Sequence, residues 1–238
     1  MPINVNFDNA TKLLTFGDRD NPRRVAAVTY GDAVMGTKPT DLRTAHSFLP
    51  EFETQLPQDK ENVRDFAQRL SDFYLARWRE RMPPDYKGPG MTFCIGGYDP
   101  DAAYGSVYVL TIPGQPTPAE QSPNDFGITI GGQSEAAIRL LQGYDVKLPQ
   151  IVQRILNLQD SQVATLVQNL RLLSLAIPFA VLPLQDSIDL AVFLIRATVT
   201  AQKLSIGIRG VGGAIDVAVI TRREGLRIIQ RKDLSGEN

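Results

Sequence analysis

The side chains that most often carry out chemistry are sparse in this chain. His46 is the only histidine and Cys94 the only cysteine. A Ser-His-Asp triad would have to use His46, and its context RTAHSFLPEF favours a surface or packing role in a loop or short helix. Cys94 lies in an apolar strand pattern with no nearby positive charge, which favours a buried, unreactive thiol. One cysteine also excludes an internal disulfide and a cysteine-based metal site.

Glycine-rich and acidic stretches offer no stronger site. GITIGG and IGIRGVGG lack the GxxxxGK[ST] pattern, and neither opens a helix with GxGxxG, so a phosphate-binding loop is disfavoured. Asp99 and Asp101 lie in a predicted hairpin turn, where aspartate is common. No acidic cluster has the spacing of metal ligands. The sequence therefore predicts neither a cofactor nor a metal site.

Periodicity predicts the elements that would have to position any site. Ile3, Val5 and Phe7 alternate in a first strand over residues 2–7, and a polar loop, GDRDNPRR, separates the next two strands. The clearest helix, ENVRDFAQRLSDFYLARWRERM, ends at Pro83-Pro84. The predicted strands of the first half are KLLTF, VAAVTYGDAVMG, and the hairpin of MTFCIGGYD with GSVYVLTIPG.

The second half is predicted to be mainly helical. After a proline-rich loop, GQPTPAEQSPND, comes a short strand, FGITIGGQ, and then a helix capped by Ser134. A long helical stretch is broken near Asp160, and Asp186 is expected to cap the helix that follows. The chain closes with three predicted strands, LSIGI, GGAIDVAVIT and GLRIIQ.

Strands cluster at both ends and in the middle of the chain, and helices separate the clusters. This order does not alternate like a doubly wound sheet. It predicts an α+β fold in which two antiparallel sheets stack face to face and helices cover both outer faces.

Four motifs in this order resemble proteasome-type subunits of the N-terminal nucleophile (Ntn) hydrolase superfamily. They are YGDA, GGYD followed by GSVYVLTIPG, ITIGGQSEAAIRLLQ, and GGAIDVAVITRREG, the most specific of the four. The resemblance covers about residues 5–144 and 185–230. It implies a four-layer α/β/β/α sandwich, in one domain over 1–238 with a helical insertion at 146–183.

Active members of this family use a terminal threonine, whose own α-amino group acts as the general base because it titrates near neutral pH. By this resemblance, Lys12 matches the strand lysine that tunes the nucleophile by its charge, and Gly31 matches the glycine that donates to the oxyanion. Both residues also have a structural interpretation, as an exposed strand lysine and a glycine ending a strand.

Other positions depart from the family pattern. No threonine or serine stands near Met1, and only eleven residues precede Lys12, so the nucleophile and its strand are missing from this sequence. Gly132 stands where the family usually supplies a serine. Ile208 and Val211 stand where it supplies an aspartate and a serine. These changes favour a non-catalytic or divergent subunit.

Three functional hypotheses remain open at this point. The first is a non-catalytic, proteasome-like subunit that acts by assembly into a homo- or hetero-oligomeric ring. The alternative is a threonine-type peptidase of bacterial type, whose true N-terminus lies upstream of Met1 and whose substrates are peptides or proteins. A third, binding role is possible for the insertion, where Val163, Leu166, Val167, Leu170 and Leu173 form an apolar stripe.

Composition limits the partners and the compartment. Net charge is −1, and charged residues make up 21% of the chain, so nothing in the electrostatics predicts nucleic-acid binding. The longest apolar run, residues 172–184, is too short to cross a bilayer and contains two prolines, which predicts no membrane-spanning segment. A single cysteine and the lack of a signal-like pattern predict a cytoplasmic protein.

Overall fold

A computed structural model describes residues 11–18, 21–57, 61–206 and 210–231. It has an α+β fold built around a five-stranded antiparallel sheet. The described residues divide into two compact units, one within 11–125 and 216–231 and the other within 126–215. The predicted strand at residues 2–7 lies outside the described residues. One domain over 1–238 with an insertion at 146–183 stays a prediction.

The first unit contains the large sheet and its covering helix. Its elements, in chain order, are β1 (Leu13–Asp18), β2 (Asn21–Gly31), β3 (Val34–Met35), β4 (Arg43–Thr44), a 3-10 helix (Ala45–Phe48), α1 (Leu49–Glu53), α2 (Val63–Arg81), β5 (Met91–Gly97), β6 (Ser106–Ile112) and β7 (Gln115–Glu120). The strand order in the sheet is β1-β2-β5-β6-β7, and every neighbouring pair is antiparallel.

The core lies between α2 and one face of this sheet. Residues at alternate positions of a strand share a face, and the register places Leu14, Ala27 and Ile95 side by side on the face towards α2. Phe66 of α2 packs edge-on against Phe16 of β1, with ring centroids 4.8 Å apart. The predicted amphipathic helix is thus confirmed, because its apolar stripe is the buried one.

Two hydrogen bonds secure the start of α2. The Asn62 side chain accepts from the Asp65 N–H at 2.7 Å, as an N-cap residue does. Asp99, in the β5–β6 connection, accepts from the Val63 N–H at 2.7 Å. The helix is therefore tied directly to the hairpin beneath it.

A second, two-stranded sheet completes this unit. It is formed by β8 (Val217–Thr221) and β9 (Gly225–Gln230), which pair as a hairpin. Both strands contact β2 without joining its sheet. Val219 and Leu226 are buried there, outside the main core cluster.

The second unit is helical. Its elements are α3 (Glu135–Gln142), α4 (Leu148–Leu156), α5 (Asp160–Leu170), 3-10 helices at Arg171–Leu173 and Phe179–Val181, and α6 (Leu184–Leu204). The helices α3 and α6 pack together, and α5 contacts both α4 and the Arg171–Leu173 turn. The predicted break before Asp160 is confirmed, since Asn157 ends α4 in the left-handed region with φ +50°.

Several local predictions were wrong. Asn21–Arg24, expected in a loop, belong to β2, and the proline-rich segment after Gly114 forms β7. FGITIGGQ has no strand conformation. Asp186 lies in the first turn of α6, which begins earlier, at Leu184. Ser134 does precede α3, but its side chain makes no capping hydrogen bond.

Candidate functional site

Two residues matched to catalytic positions lie at a pair of neighbouring strands: Gly31 ends β2, and Lys12 immediately precedes β1. The carbonyl oxygen of Lys12 accepts a hydrogen bond from the Thr29 N–H at 3.0 Å, just beyond the Leu13–Val28 pair. Gly31 is two residues further along β2 and pairs with Met91. The antiparallel register therefore brings Lys12 and Gly31 to the same end of the β1–β2 pair.

Gly31 occupies a backbone position that only glycine fits. Its φ is +87°, and a Cβ built there would lie 2.3 Å from the carbonyl oxygen of Gly90. That carbonyl accepts the Asp32 N–H at 3.0 Å. A side chain at position 31 would thus have to displace the neighbouring backbone as well as adopt a strained conformation.

Asp32 extends this end of the sheet into a small polar cluster. The Tyr86 hydroxyl donates to Asp32 Oδ2 at 2.5 Å, and Tyr86 packs edge-on against Trp78 of α2. Partial burial and the bond to the Asp32 carboxylate raise the pKa of Tyr86 to about 12. The phenol therefore stays protonated at neutral pH and acts as a hydrogen-bond donor that fixes Asp32.

The potential nucleophiles close to Lys12 are poorly suited to attack. Thr29 faces Lys12 across the strand pair, and its Oγ1 is buried with no hydrogen-bond partner in the described part of the chain. Thr29 is internal to the chain, so it has no free α-amine to act as its base. Burial raises the pKa of the Cys94 thiol to about 11, which keeps it protonated and unreactive at neutral pH.

Gly132 and Val211, two further matched positions, belong to the helical unit. Gly132 is exposed with φ +74° and precedes Gln133, whose Oε1 accepts from Gln202 Nε2 at 3.1 Å. Gln202 Oε1 in turn accepts the N–H groups of Gly210 and Val211 at 2.9 and 3.0 Å. Ile208 lies outside the described residues. Two glutamines thus bridge the segments that carry Gly132 and Val211.

Sequence reasoning missed several of these features. YGDA was singled out for Gly31, but nothing in it revealed the Asp32–Tyr86 bond, whose partners are 54 positions apart. Gln202 sits near the end of α6, where a glutamine is unremarkable. Tyr86 and Gln202 belong to none of the four motifs, so only the fold could identify them.

Metal-ligand clusters and membrane spans are absent from the part of the chain that the structure describes. Within residues 11–18, 21–57, 61–206 and 210–231, no group of three or more His, Cys, Asp or Glu side chains could hold a metal ion. In those ranges, too, no helix has the length and apolar character needed to span a bilayer.

Comparisons with known proteins give no independent assignment. No protein-family model, curated protein or solved structure matches this chain.

Proposed function

We propose that this chain is a proteasome-type subunit of the Ntn hydrolase superfamily that acts by oligomeric assembly and not by peptide hydrolysis. The four-layer α/β/β/α sandwich and a cytoplasmic location are part of this proposal. The observation that carries it is the contrast between a backbone position at Gly31 that only glycine fits and the side chains that replace the expected support residues. Gly31 keeps a glycine-only conformation beside Lys12, while Gly132 and Val211 stand where a serine and a second support residue are expected.

The strand arrangement supports the proposed sandwich fold. A five-stranded antiparallel sheet carries α2 on one face, and a separate hairpin, β8–β9, contacts β2. A sandwich of two sheets would extend this hairpin into a second layer. The motif GGAIDVAVITRREG, on which the resemblance mainly rests, contributes β8 and the turn into β9.

The sheet face opposite α2 carries a partly exposed apolar side chain, which is consistent with a further covering layer or subunit. Val28 lies on β2, between β1 and β5, and is 44% exposed. Its neighbours in the register, Leu13 and Cys94, share the sheet face opposite α2. None of these three side chains is buried, whereas their neighbours on the opposite face are, so this face of β2 is less covered than the face towards α2.

The alternative is a threonine-type peptidase whose nucleophile is encoded upstream of Met1. The exposed side chain of Lys12 favours it, because a lysine must be accessible to act on the charge of a neighbouring terminal residue. An in-frame strand beginning with Thr, Ser or Cys in the upstream DNA would support the peptidase. An in-frame stop codon there would reject it.

The test measures peptide hydrolysis and oligomer mass on the full chain. We expect sedimentation velocity to show an oligomer and fluorogenic peptides to remain uncleaved. Lys12→Ala should change neither result, and Lys38→Ala, another exposed lysine, is the matched control. The same assay is run on the chain extended by any in-frame upstream sequence, because the alternative places the nucleophile there. Hydrolysis by either form that Lys12→Ala abolishes and Lys38→Ala preserves would overturn the proposal in favour of the peptidase. A monomer at every concentration would overturn the assembly role.

A further inference from the structure

A groove lies along α2, in the unit that contains the large sheet. Its volume is about 450 Å³, and it is lined by side chains of α2 and by Gln55, which follows α1. The α2 side chains of the lining are spaced three or four positions apart, so they share one side of the helix. The charged ones are Asp65, Arg69, Asp72 and Arg77, and because they line one groove they form one continuous surface.

The two carboxylates of the groove have no ion pair within the described part of the chain. Asp72 accepts a hydrogen bond from Gln68 Nε2 at 2.9 Å, and Asp65 accepts one from Asn62 Nδ2 at 2.9 Å. Both donors are uncharged amides. Asp65 and Asp72 are also exposed, so both negative charges are accessible to a cation from outside the chain.

The two arginines of the groove are bonded to other carboxylates and still keep donors to spare. Arg69 Nε donates to Glu61 at 3.2 Å. Arg77 Nη1 donates to Glu80 at 2.7 Å, and its Nε lies 3.8 Å from a Glu51 oxygen. A guanidinium carries five N–H donors, so each arginine can bind a further carboxylate.

The order of these four charges along α2 is complementary to itself when the helix is reversed. From the start of α2 to its end they are negative, positive, negative and positive. A second α2 that runs antiparallel and is centred near position 71 places Asp65 opposite Arg77. The same arrangement places Arg69 opposite Asp72, and the twofold axis repeats each pair, so four ion pairs form. A parallel copy in register would instead place like charges opposite each other.

We propose that this groove is a contact between two copies of the chain, whose α2 helices lie antiparallel. This inference rests on the proposed assembly function and assigns one of its contact surfaces. A second copy is the partner whose matching charges are already present in this sequence. Ion pairs between exposed side chains are individually weak and are screened by salt, so the association should weaken as the ionic strength rises.

The first experiment measures oligomer mass by sedimentation velocity on the full chain at low ionic strength. Arg69→Asp and Asp72→Arg each place like charges opposite one another twice, and each should weaken association about tenfold or more. The double variant Arg69→Asp/Asp72→Arg exchanges the two charges and should restore association to within about threefold of the wild type. Arg64→Glu is the matched control, because Arg64 is an exposed residue of α2 outside the groove.

Circular dichroism separates loss of the contact from loss of folding. Asp72→Arg breaks only the hydrogen bond from Gln68, so we expect its helix content to equal that of the wild type.

A second experiment tests the antiparallel arrangement. Residues close to a twofold axis lie near their own copies. In a Cys94→Ala background, Gln68→Cys should therefore form a covalent dimer with a short bismaleimide linker. Arg64→Cys, on another side of α2, should not.

The outcomes separate this contact from the proposed function. A mass that neither charge reversal nor high salt changes would overturn the contact and spare the assembly role. Equal weakening by Arg64→Glu would do the same. Weakening in both single variants without recovery in the double variant would mean that the groove meets a different surface, and would overturn the antiparallel pairing. A wild-type chain that is monomeric at every concentration would overturn both proposals.

Discussion

Two threonines in the large sheet differ in whether their hydroxyl groups are satisfied. Thr29 Oγ1, on β2, is buried without a hydrogen-bond partner among the described residues. Thr92, on β5, shares a 2.9 Å hydrogen bond with the Thr111 hydroxyl on β6. An unsatisfied buried polar group costs about 1–3 kcal/mol, whereas a typical satisfied one contributes about 1 kcal/mol.

This difference predicts opposite effects of the same substitution. Thr29→Val should raise the free energy of unfolding by about 1 kcal/mol, because a methyl group replaces a hydroxyl that has lost its water. Thr92→Val should lower it by about 1 kcal/mol, because it leaves the Thr111 hydroxyl unpaired. Urea denaturation followed by Trp78 fluorescence measures both. Destabilisation by Thr29→Val would show that its hydroxyl has a partner in solution.

Sequence patterns predicted individual residues unevenly. Lys12 and Gly31 could be singled out because the resemblance to a known family matches them to catalytic positions, and Gly31 does occupy a position that excludes a side chain. The partners of Asp32 and Gly210 could not, because Tyr86 and Gln202 reach them only through the fold. Hydrogen bonds between distant positions leave no periodic signal in a single sequence.

At the level of elements, most helices and strands followed their hydrophobic pattern, whereas β7, at one edge of the sheet, did not. Pro116 and Pro118 suggested a loop, yet both lie in β7. β7 is an edge strand, and a proline there can point its missing N–H away from the ladder. Ser71 of α2 further secures this strand by donating to the Pro116 carbonyl oxygen at 2.5 Å.

The prediction for FGITIGGQ was wrong in the opposite sense, because a strand was expected where none forms. Its composition suits a strand, but the structure gives it no strand to pair with. A strand-like sequence pattern indicates that the side chains fit a half-buried surface. Whether a second strand lies alongside to pair with it depends on the fold of the whole chain. The same limit explains why β8 begins only at Val217, although the apolar pattern starts earlier.

The residues that precede α2 and α3 should differ in how much they stabilise their helices. Asn62→Ala should destabilise the unit that contains α2 by about 1 kcal/mol, because the Asp65 N–H loses its acceptor. Ser134→Ala should have an effect within about 0.5 kcal/mol, because the Ser134 side chain makes no capping bond to α3. Thermal unfolding followed by circular dichroism compares the variants. Equal losses would mean that Ser134 caps α3 in solution.

Across the whole molecule, buried acids with raised pKa values link stability to alkaline pH. Burial raises the pKa of Cys94 to about 11, and it raises that of Tyr74 strongly as well. Each group is protonated more readily in the folded chain than in the unfolded one. Their contribution to stability is therefore complete below the unfolded pKa and is lost as the pH rises through the folded pKa.

The free energy of unfolding should accordingly fall as the pH rises from about 9 towards 11, the range between the ordinary and the folded pKa of Cys94. Cys94→Ala should make this fall less steep, because it removes one of the groups that titrate. Urea denaturation across this pH range provides the measurement. A flat profile, or an identical slope in Cys94→Ala, would contradict the link.

The bond from Asp99 to the Val63 N–H joins the first turn of the longest helix in the sheet-containing unit to the β5–β6 connection. The opening amides of a helix ordinarily lack partners and fray. Here, unwinding that turn also requires releasing the hairpin, so both should open in one cooperative step. The Val63 amide hydrogen would then exchange with solvent at the slow pace of the sheet and not at the fast pace of a free helix end.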